Sequence, residues 1–251
     1  MMQCLKVEWM KERRAANAQL IYLVPIVFVV FNMLMVSLMG ESPDGKSYLM
    51  ATSFNWYPVL VLPIVLSLLV VNITGKEKTE HIGLYRRQNV SIMRLLLSKQ
   101  LVVIAELLLI FVLSSLAVYA IGRLVFHEVI PLSMLVLATL CLFIGSLPIV
   151  ALSFLLMKVT YKKIPVILIN FICTFPAALI APTSKWLFFP WCYNLRLLSP
   201  VVGIHPNGTF LETGSPLLHV DATYLGLGLS LLVFLFTILL TAVIERRFSH
   251  A

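Results

Sequence analysis

Long runs of uncharged, apolar residues alternate with short polar stretches along the whole chain. Six of these runs approach the roughly 20 residues that a helix needs to cross about 30 Å of hydrocarbon. Backbone amides in lipid must hydrogen-bond within their own segment, and the runs show no period of two, so we expect helices rather than barrel strands. The predicted spans are residues 20–39, 57–73, 101–121, 131–157, 164–181 and 224–244.

Composition agrees with this pattern. Of 251 residues, 60% are hydrophobic and 12% are charged, and the mean hydropathy is +0.98. Soluble domains carry roughly 45–50% apolar and about 25% charged residues. A water-facing globule of this composition would expose too much apolar surface, which excludes a soluble enzyme domain as well as a disordered chain. The sequence therefore predicts an all-α membrane protein with a single domain over residues 1–251.

The basic residues indicate the orientation of the spans. Fifteen of the nineteen Lys and Arg residues fall on one side of the predicted topology, and Lys46, Arg123, Lys185 and Arg196 fall on the other. Because Lys and Arg accumulate in cytoplasmic loops, we expect a multi-pass protein of a bacterial plasma membrane with both termini in the cytoplasm. The net charge of +8 then reflects topology, and no nucleic-acid partner is expected.

Residues 2–19 predict a short basic helix that lies in the lipid headgroup layer and turns into the first span. Leu5, Trp9 and Ala16 share one helical face, whereas the basic residues, such as Lys6 and Lys11, lie elsewhere. An ordinary basic flank of the first span is the alternative interpretation.

The longest loop on the predicted cytoplasmic side covers residues 75–99. It is rich in charge, and Ile82, Leu84 and Tyr85 add apolar positions. A short amphipathic helix tethered between two spans would let a soluble partner move both spans together. The alternative interpretation of the same residues is a solvated loop that binds anionic lipid. The pattern alone does not decide between the two interpretations.

A second long stretch, residues 182–223, falls on the predicted outer side. Its 42 residues exceed a simple connection, and they include WLFFPWCYNLRLLSP, which is aromatic but too short to span a membrane. We expect a re-entrant or interfacial segment with Trp186, Trp191 and Tyr193 at headgroup depth.

Signatures of catalysis and of metal binding are missing from the sequence. Thr74-Gly75-Lys76 resembles the end of a phosphate-binding loop, but Val70 stands where its first glycine belongs. The five histidines have no metal-ligand spacing, and the four cysteines are not expected to form disulfides. We therefore expect no catalytic residue, no metal and no cofactor in this chain.

Glu106 is the exception to the apolar character of the spans. An ionisable group within a span is costly and by default suggests a function. It lies about five residues inside the third span, or roughly 7.5 Å at 1.5 Å per residue. We favour a structural role, with a partner such as Lys99 or Lys158, over a substrate or proton site.

This layout resembles the permease subunit of a type-2 ATP-binding cassette (ABC) exporter. Residues 77–84, EKTEHIGL, followed by Ser91-Ile92 and by 97–99, LSK, are similar to the acid-rich, glycine-containing coupling segment of that family. Residues 86–89, RRQN, replace the proline-containing turn often found after it. The outer stretch 189–193, FPWCY, with Arg196-Leu197, Pro200 and 203–208, is most like the permeases of lantibiotic self-protection exporters.

The resemblance implies a function shared between subunits. Two permeases, identical or related, sit on two ATPase subunits, which hold ATP and Mg²⁺. Closure of the ATPases moves the coupling helices, the spans tilt, and an amphipathic cationic peptide is expelled from the outer leaflet of the membrane. The residues implied in coupling to the ATPase are Lys76, Glu77, Glu80, His81, Leu84, Tyr85, Arg86 and Arg87. The residues implied in substrate contact are Trp186, Phe189, Trp191, Tyr193 and Arg196.

Three hypotheses follow from the sequence. The first is an export permease that gives self-immunity or resistance to lantibiotic-type peptides. The second is a permease of the same fold that exports a drug, a lipid or a polysaccharide. The third is a membrane enzyme or sensor that works without an ATPase, and co-purification with a nucleotide-binding subunit would separate it from the other two.

Overall fold

The structure is a computed structural model that describes residues 2–12, 15–43, 45–76 and 91–250, with side chains up to residue 245. These residues are almost entirely helical and contain no strand beyond one isolated bridge between Ile204 and Phe210. The helices are α1 (Met2–Glu12), α2 (Ala16–Met39), α3 (Tyr48–Leu60), α4 (Leu62–Thr74), α5 (Ile92–Leu124), α6 (Leu132–Thr160), α7 (Lys163–Ile180), α8 (Tyr193–Val202) and α9 (Asp221–His250).

Up to six membrane spans can be formed by the described residues. The helices α2, α5, α6, α7 and α9 are each long and apolar enough to cross a membrane, and α3 and α4 together make a sixth, bent span. This confirms an all-α membrane protein with five or six apolar spanning helices.

The second span is broken. Within the predicted range 57–73, α3 and α4 meet at Val61 with a bend of 51°. Pro63 lies two residues later, and proline lacks an amide donor and restricts the residue before it, so helices kink at such positions. The helix also begins earlier, at Tyr48, and contains a π-helical turn over Thr52–Trp56.

Polar side chains hold this π-helical turn against α2. Thr52 Oγ1 and Ser53 Oγ both donate to Asn32 Oδ1, at 2.6 and 3.0 Å, and all three residues are buried. Asn32 Nδ2 donates to the carbonyl of Phe28 on its own helix at 2.8 Å. Unpaired polar groups are costly inside a bundle, so this cluster joins α2 to the irregular part of α3.

The centre of the bundle is α6. It packs against α4, α5, α8 and α9, and its most apolar window is 67% buried. Gly145 permits the close approach of α8, because a Cβ atom there would lie 2.3 Å from Asn194 Oδ1 and 3.0 Å from Leu197 Cδ1. Small residues at such contacts are typical of helix packing in membranes.

Two ion pairs place both chain termini at one end of the bundle, here called the termini end. Lys76, after α4, lies 2.5 Å from Glu12 of α1, and Lys158 of α6 pairs with Glu245 of α9. The opposite end, here called the loop end, carries the connections between α2 and α3, between α5 and α6, and between α7 and α9.

The N-terminal helix α1 presents a polar face to the bundle. Leu5, Glu8 and Glu12 face inward, and the two glutamates are almost fully buried. Val7 and Trp9 are exposed, so Trp9 does not share the inward face of Leu5 as the sequence suggested, and Ala16 belongs to α2. A separate helix with an exposed apolar face fits the predicted position at the membrane surface.

Candidate functional site

Glu106 lies inside the bundle and has a neutral partner. The residue is 2% exposed, and Asn17 Nδ2 donates to its Oε2 at 2.8 Å and to the carbonyl of Leu69 at 3.0 Å. The sequence suggested Lys99 or Lys158 as the partner, and of these two Lys158 pairs with Glu245 instead. Asn17 is 89 residues away along the chain, so no local signal links the two residues.

The predicted coupling residues are only partly described. Lys76 is about one-third exposed and pairs with the buried Glu12, so it ties α1 to the end of α4. The other residues of that set lie outside the described residues, namely Glu77, Glu80, His81, Leu84, Tyr85, Arg86 and Arg87.

A cavity of about 290 Å³ opens at the termini end, between the two described flanks of the coupling segment. Gly75 lines it on one side and Ile92 on the other, and Lys99, Lys158 and Lys163 also border it. The segment that joins α4 to α5 therefore leaves and re-enters the bundle beside this cavity.

At the loop end, residues 184–202 form what we call the outer aromatic segment. Two 3-10 turns, Ser184–Phe188 and Pro190–Cys192, lead into α8, which packs against α6 and α9. This is the segment in which the sequence predicted substrate contacts, and the structure places its members in different environments.

Trp186 and Tyr193 are buried inside this segment. They are 6% and 1% exposed, and their rings meet edge to face with centroids 6.0 Å apart. Tyr193 Oη donates to the carbonyl of Leu187 at 2.7 Å, and the Arg196 guanidinium lies 5.9 Å from the Trp186 ring. Phe189 and Arg196 are partly exposed, so these two are more accessible to a ligand.

Trp191, which the sequence predicted at headgroup depth, contacts a residue inside the bundle. Its Nε1 donates to Asn170 Oδ1 at 3.1 Å, and Asn170 lies ten residues before Ile180, where α7 ends. At 1.5 Å per residue, this is roughly 15 Å along the helix. The outer aromatic segment therefore enters the bundle, where its Trp191 donates to the buried Asn170.

A cluster around Asn170 brings together residues that the sequence did not connect. Asn170 Nδ2 donates to Ser67 Oγ of α4 at 2.8 Å and to Ser153 Oγ of α6 at 2.7 Å. The polar Asn170 within an apolar run suggested a bond between helices, but nothing in the sequence indicated its partners.

The loop end also contains a cavity of about 1040 Å³. Apolar side chains such as Phe126 and Phe210 line it, together with the carboxylates of Glu41 and Glu128. Glu128 accepts hydrogen bonds from Ser42 Oγ at 2.7 Å and from Ser47 Oγ. No sequence motif marks these residues, which lie in connections far apart along the chain.

The outer aromatic segment contains one thiol, that of Cys192, and it is buried. Burial raises the pKa of the Cys192 thiol to about 12, and its Sγ donates to the carbonyl of Phe189 at 2.9 Å. The thiol therefore stays protonated at neutral pH, which disfavours reaction. Within the described part of the chain, no group of three His, Cys, Asp or Glu residues gathers as a metal site.

Comparison with protein families identifies the chain. The family model for ABC-2 family transporter proteins matches residues 4–177, more than two-thirds of the sequence. The chain belongs to the ABC-2 transporter family. An ABC-2 permease is a membrane transport subunit, and membership implies partnering with an ATPase subunit. Comparison with curated proteins and with solved structures gives no match.

The ABC-2 match leaves the cargo open. It ends at residue 177, so the outer aromatic segment and α9 lie beyond it. The resemblance to lantibiotic permeases depends mainly on residues 186–208, outside the matched range.

Proposed function

We propose that this ABC-2 protein is the permease of an exporter that expels lantibiotic-type antimicrobial peptides from the membrane and so gives self-immunity or resistance. Both termini face the cytoplasm of a bacterial cell in this proposal, as the distribution of lysine and arginine suggests. Two permeases, identical or paired with a related chain, work with two ATPase subunits that bind and hydrolyse ATP.

The observation that carries the choice of cargo is the chemistry of the loop end. An amphipathic cationic peptide needs an apolar surface and an anionic group at the depth where it lies in the membrane. The cavity of about 1040 Å³ offers apolar walls and two carboxylates, Glu41 and Glu128, against one ammonium group, that of Lys46. Phe189 remains partly exposed in the outer aromatic segment. Complementary charge favours encounter and selects among partners.

The mechanism follows from the connections between helices. The ATPase grips the segment after Lys76, which continues directly from α4 and returns as α5. A displacement of this segment moves α4 and α5 together, and the ion pair of Lys76 with Glu12 carries α1 along. The peptide does not cross the whole bundle, because it is taken from the outer leaflet and released to the medium.

Deletion of the gene in its host tests the proposal. We expect at least a fourfold lower inhibitory concentration of one or more lantibiotics, restored by the wild-type chain but not by a chain co-expressed with a catalytically dead ATPase. Unchanged sensitivity to every lantibiotic tried would contradict the choice of cargo. Stimulation of ATP hydrolysis in the reconstituted complex by a drug or lipid, but not by a peptide, would point to another cargo.

The carboxylates of the cavity provide a sharper test. We expect the double variant Glu41→Gln, Glu128→Gln to weaken the stimulation of ATP hydrolysis by a cationic peptide several-fold, because the charge that complements the peptide is lost. Ser37→Ala also changes a residue on the cavity lining, but it removes no charge, so it serves as the matched control. Equal stimulation in all three proteins would contradict this role of the cavity.

A further inference from the structure

The cluster around Asn170 joins four separate parts of the fold inside the bundle. Asn170 belongs to α7 and is fully buried, Ser67 belongs to α4, Ser153 belongs to α6, and Trp191 belongs to the outer aromatic segment. Each of the three contacts is a hydrogen bond between side chains of different elements. We call these four residues the Asn170 cluster.

The direction of every hydrogen bond in the Asn170 cluster is fixed by chemistry. An indole N–H can only donate, so the side-chain atom of Asn170 that faces Trp191 is the oxygen, and the amide nitrogen faces the two serines. Each serine hydroxyl donates its hydrogen bond to a carbonyl of its own helix. Ser67 Oγ donates to the carbonyl of Pro63, and Ser153 Oγ donates to the carbonyl of Ile149. The serine oxygens are therefore acceptors for Asn170.

A fully satisfied buried network is stiff, because moving one member leaves a polar group unpaired in an apolar surrounding. Ser67 lies seven residues, or roughly 10 Å along the helix, before Thr74, where α4 ends and leads into the coupling segment. Trp191 lies at the other side of the cluster, in the segment at the loop end. A chain of hydrogen bonds through Ser67, Asn170 and Trp191 therefore joins these two regions.

We propose that Asn170 is a positioning residue that transmits the movement of α4 to the outer aromatic segment. When the ATPase displaces α4, Ser67 moves with it, and Asn170 carries the indole of Trp191 along. The outer aromatic segment then shifts at the loop end in step with ATP binding. This inference rests on the proposed function, in that a motor acts on the segment after α4, but it does not depend on which cargo is exported.

The two serines supply a matched pair of variants. Ser67→Ala removes the bond between α4 and Asn170, whereas Ser153→Ala removes an equivalent bond to α6. The two bonds differ by 0.1 Å, both serines are fully buried, and each hydroxyl also bonds to the carbonyl four residues earlier. The two variants therefore lose similar stability, but only Ser67→Ala interrupts the connection from α4 to Trp191.

An environment-sensitive fluorophore at position 188 reports the shift. Phe188 is 87% exposed within the outer aromatic segment, so Phe188→Cys accepts a maleimide label. Cys4 and Cys173 are partly exposed and are replaced by alanine, whereas Cys141 and Cys192 are fully buried and stay in place. The reconstituted complex with its ATPase is then measured with and without ATP and vanadate, in the absence of any cargo.

We expect the ATP-dependent fluorescence change to fall at least fivefold in Ser67→Ala and to keep more than half its size in Ser153→Ala. Trp191→Phe, which keeps the ring but loses the donor, should fall as Ser67→Ala does. A merely structural role predicts equal losses in the two serine variants, and that result would overturn the proposal.

Failure of this inference is distinguishable from failure of the export proposal. A complex that responds to ATP equally in all variants contradicts the role of Asn170 and leaves the peptide-export function intact. The inference is also overturned if the fluorescence of the label does not change with ATP when every residue of the Asn170 cluster is in place. The sensitivity of the deletion strain to lantibiotics is measured independently of the label and decides the cargo.

Discussion

Buried asparagine side chains form hydrogen bonds with other polar groups inside this apolar bundle. Asn17 donates to Glu106 and to the carbonyl of Leu69, and Asn32 accepts from Thr52 and Ser53. Asn170 donates to two serines and accepts from a tryptophan. An amide has two donors and one acceptor oxygen, so it can join several helices without a net charge. Each such bond contributes roughly 0.6 kcal/mol on average in membrane bundles.

Asn17 provides a test of this principle at a single residue. In Asn17→Leu the side chain keeps its branching at Cγ, but the carboxyl group of Glu106 and the carbonyl of Leu69 each lose a donor. A buried acceptor left unpaired costs about 1–3 kcal/mol, so the midpoint of thermal unfolding in detergent should fall by several degrees.

Ser37→Ala is the control for Asn17→Leu. It lies on the same helix, but its exposed hydroxyl bonds only to the carbonyl of Met33, so we expect no measurable change. Further replacement of Glu106 by leucine in Asn17→Leu should recover part of the loss, because the unpaired group is then removed. Identical unfolding midpoints of Asn17→Leu and the wild type would contradict the importance of this contact.

At the scale of the helices, the approach of α8 to α6 positions the outer aromatic segment. Gly145 is the contact point, and Asn194 Nδ2 bonds to the adjacent Ser146 Oγ at 3.1 Å. Three leucines of α8 are buried, so packing holds this ten-residue helix along most of its length. Leu197 and Leu198 belong to the main core with α6, whereas Leu195 packs with Trp186 and Tyr193.

The variant Gly145→Ala tests this packing. Alanine favours the helix by about 1 kcal/mol over glycine, but its methyl group would displace Asn194 and press on Leu197, and overpacking typically costs about 1–3 kcal/mol. We expect a lower unfolding midpoint and faster proteolysis of the outer aromatic segment. Gly228→Ala in α9 is the control, since a Cβ there meets no atom within 4 Å, and it should be neutral or stabilising. A stabilised Gly145→Ala would show that α8 does not pack closely here.

The elements differ in how far the sequence could predict them. The apolar runs located the spanning helices because the membrane imposes their length and composition. The early start at Tyr48 was missed, because the π-helical turn that extends α3 is held by Asn32 of another helix. The bend at Val61 has a local cause instead, since Pro63 favours a kink there. The contact of Trp191 was also missed, since its acceptor Asn170 lies 21 residues away on a different element.

For the whole molecule, the proposed function depends on an orientation that the distribution of lysine and arginine predicts. The termini end carries the ion pairs of Lys76 and Lys158, and the loop end carries the cavity with Glu41 and Glu128. An exporter that clears the outer leaflet needs the loop end outside and the termini end in the cytoplasm, where ATP is available.

Labelling in intact cells tests this orientation. Single cysteines at Lys185 and Lys162, which are both exposed and lie at opposite ends, are introduced into a chain in which Cys4 and Cys173 are replaced by alanine. A membrane-impermeant maleimide should label Lys185→Cys in intact cells and Lys162→Cys only after lysis. The reverse pattern would place the cavity in the cytoplasm and contradict export from the outer leaflet.

The central claim is that an ATPase in the cytoplasm acts on the segment between α4 and α5, and cross-linking tests it most directly. A photoreactive phenylalanine analogue replaces Tyr85, and the control carries it at Lys162, at the termini end but outside the coupling segment. We predict that irradiation of intact cells joins the position-85 variant to an ATP-binding subunit and that the position-162 variant gives far less of this product. A position-85 variant that captures no ATP-binding protein, at an expression level equal to that of the control, would contradict the account.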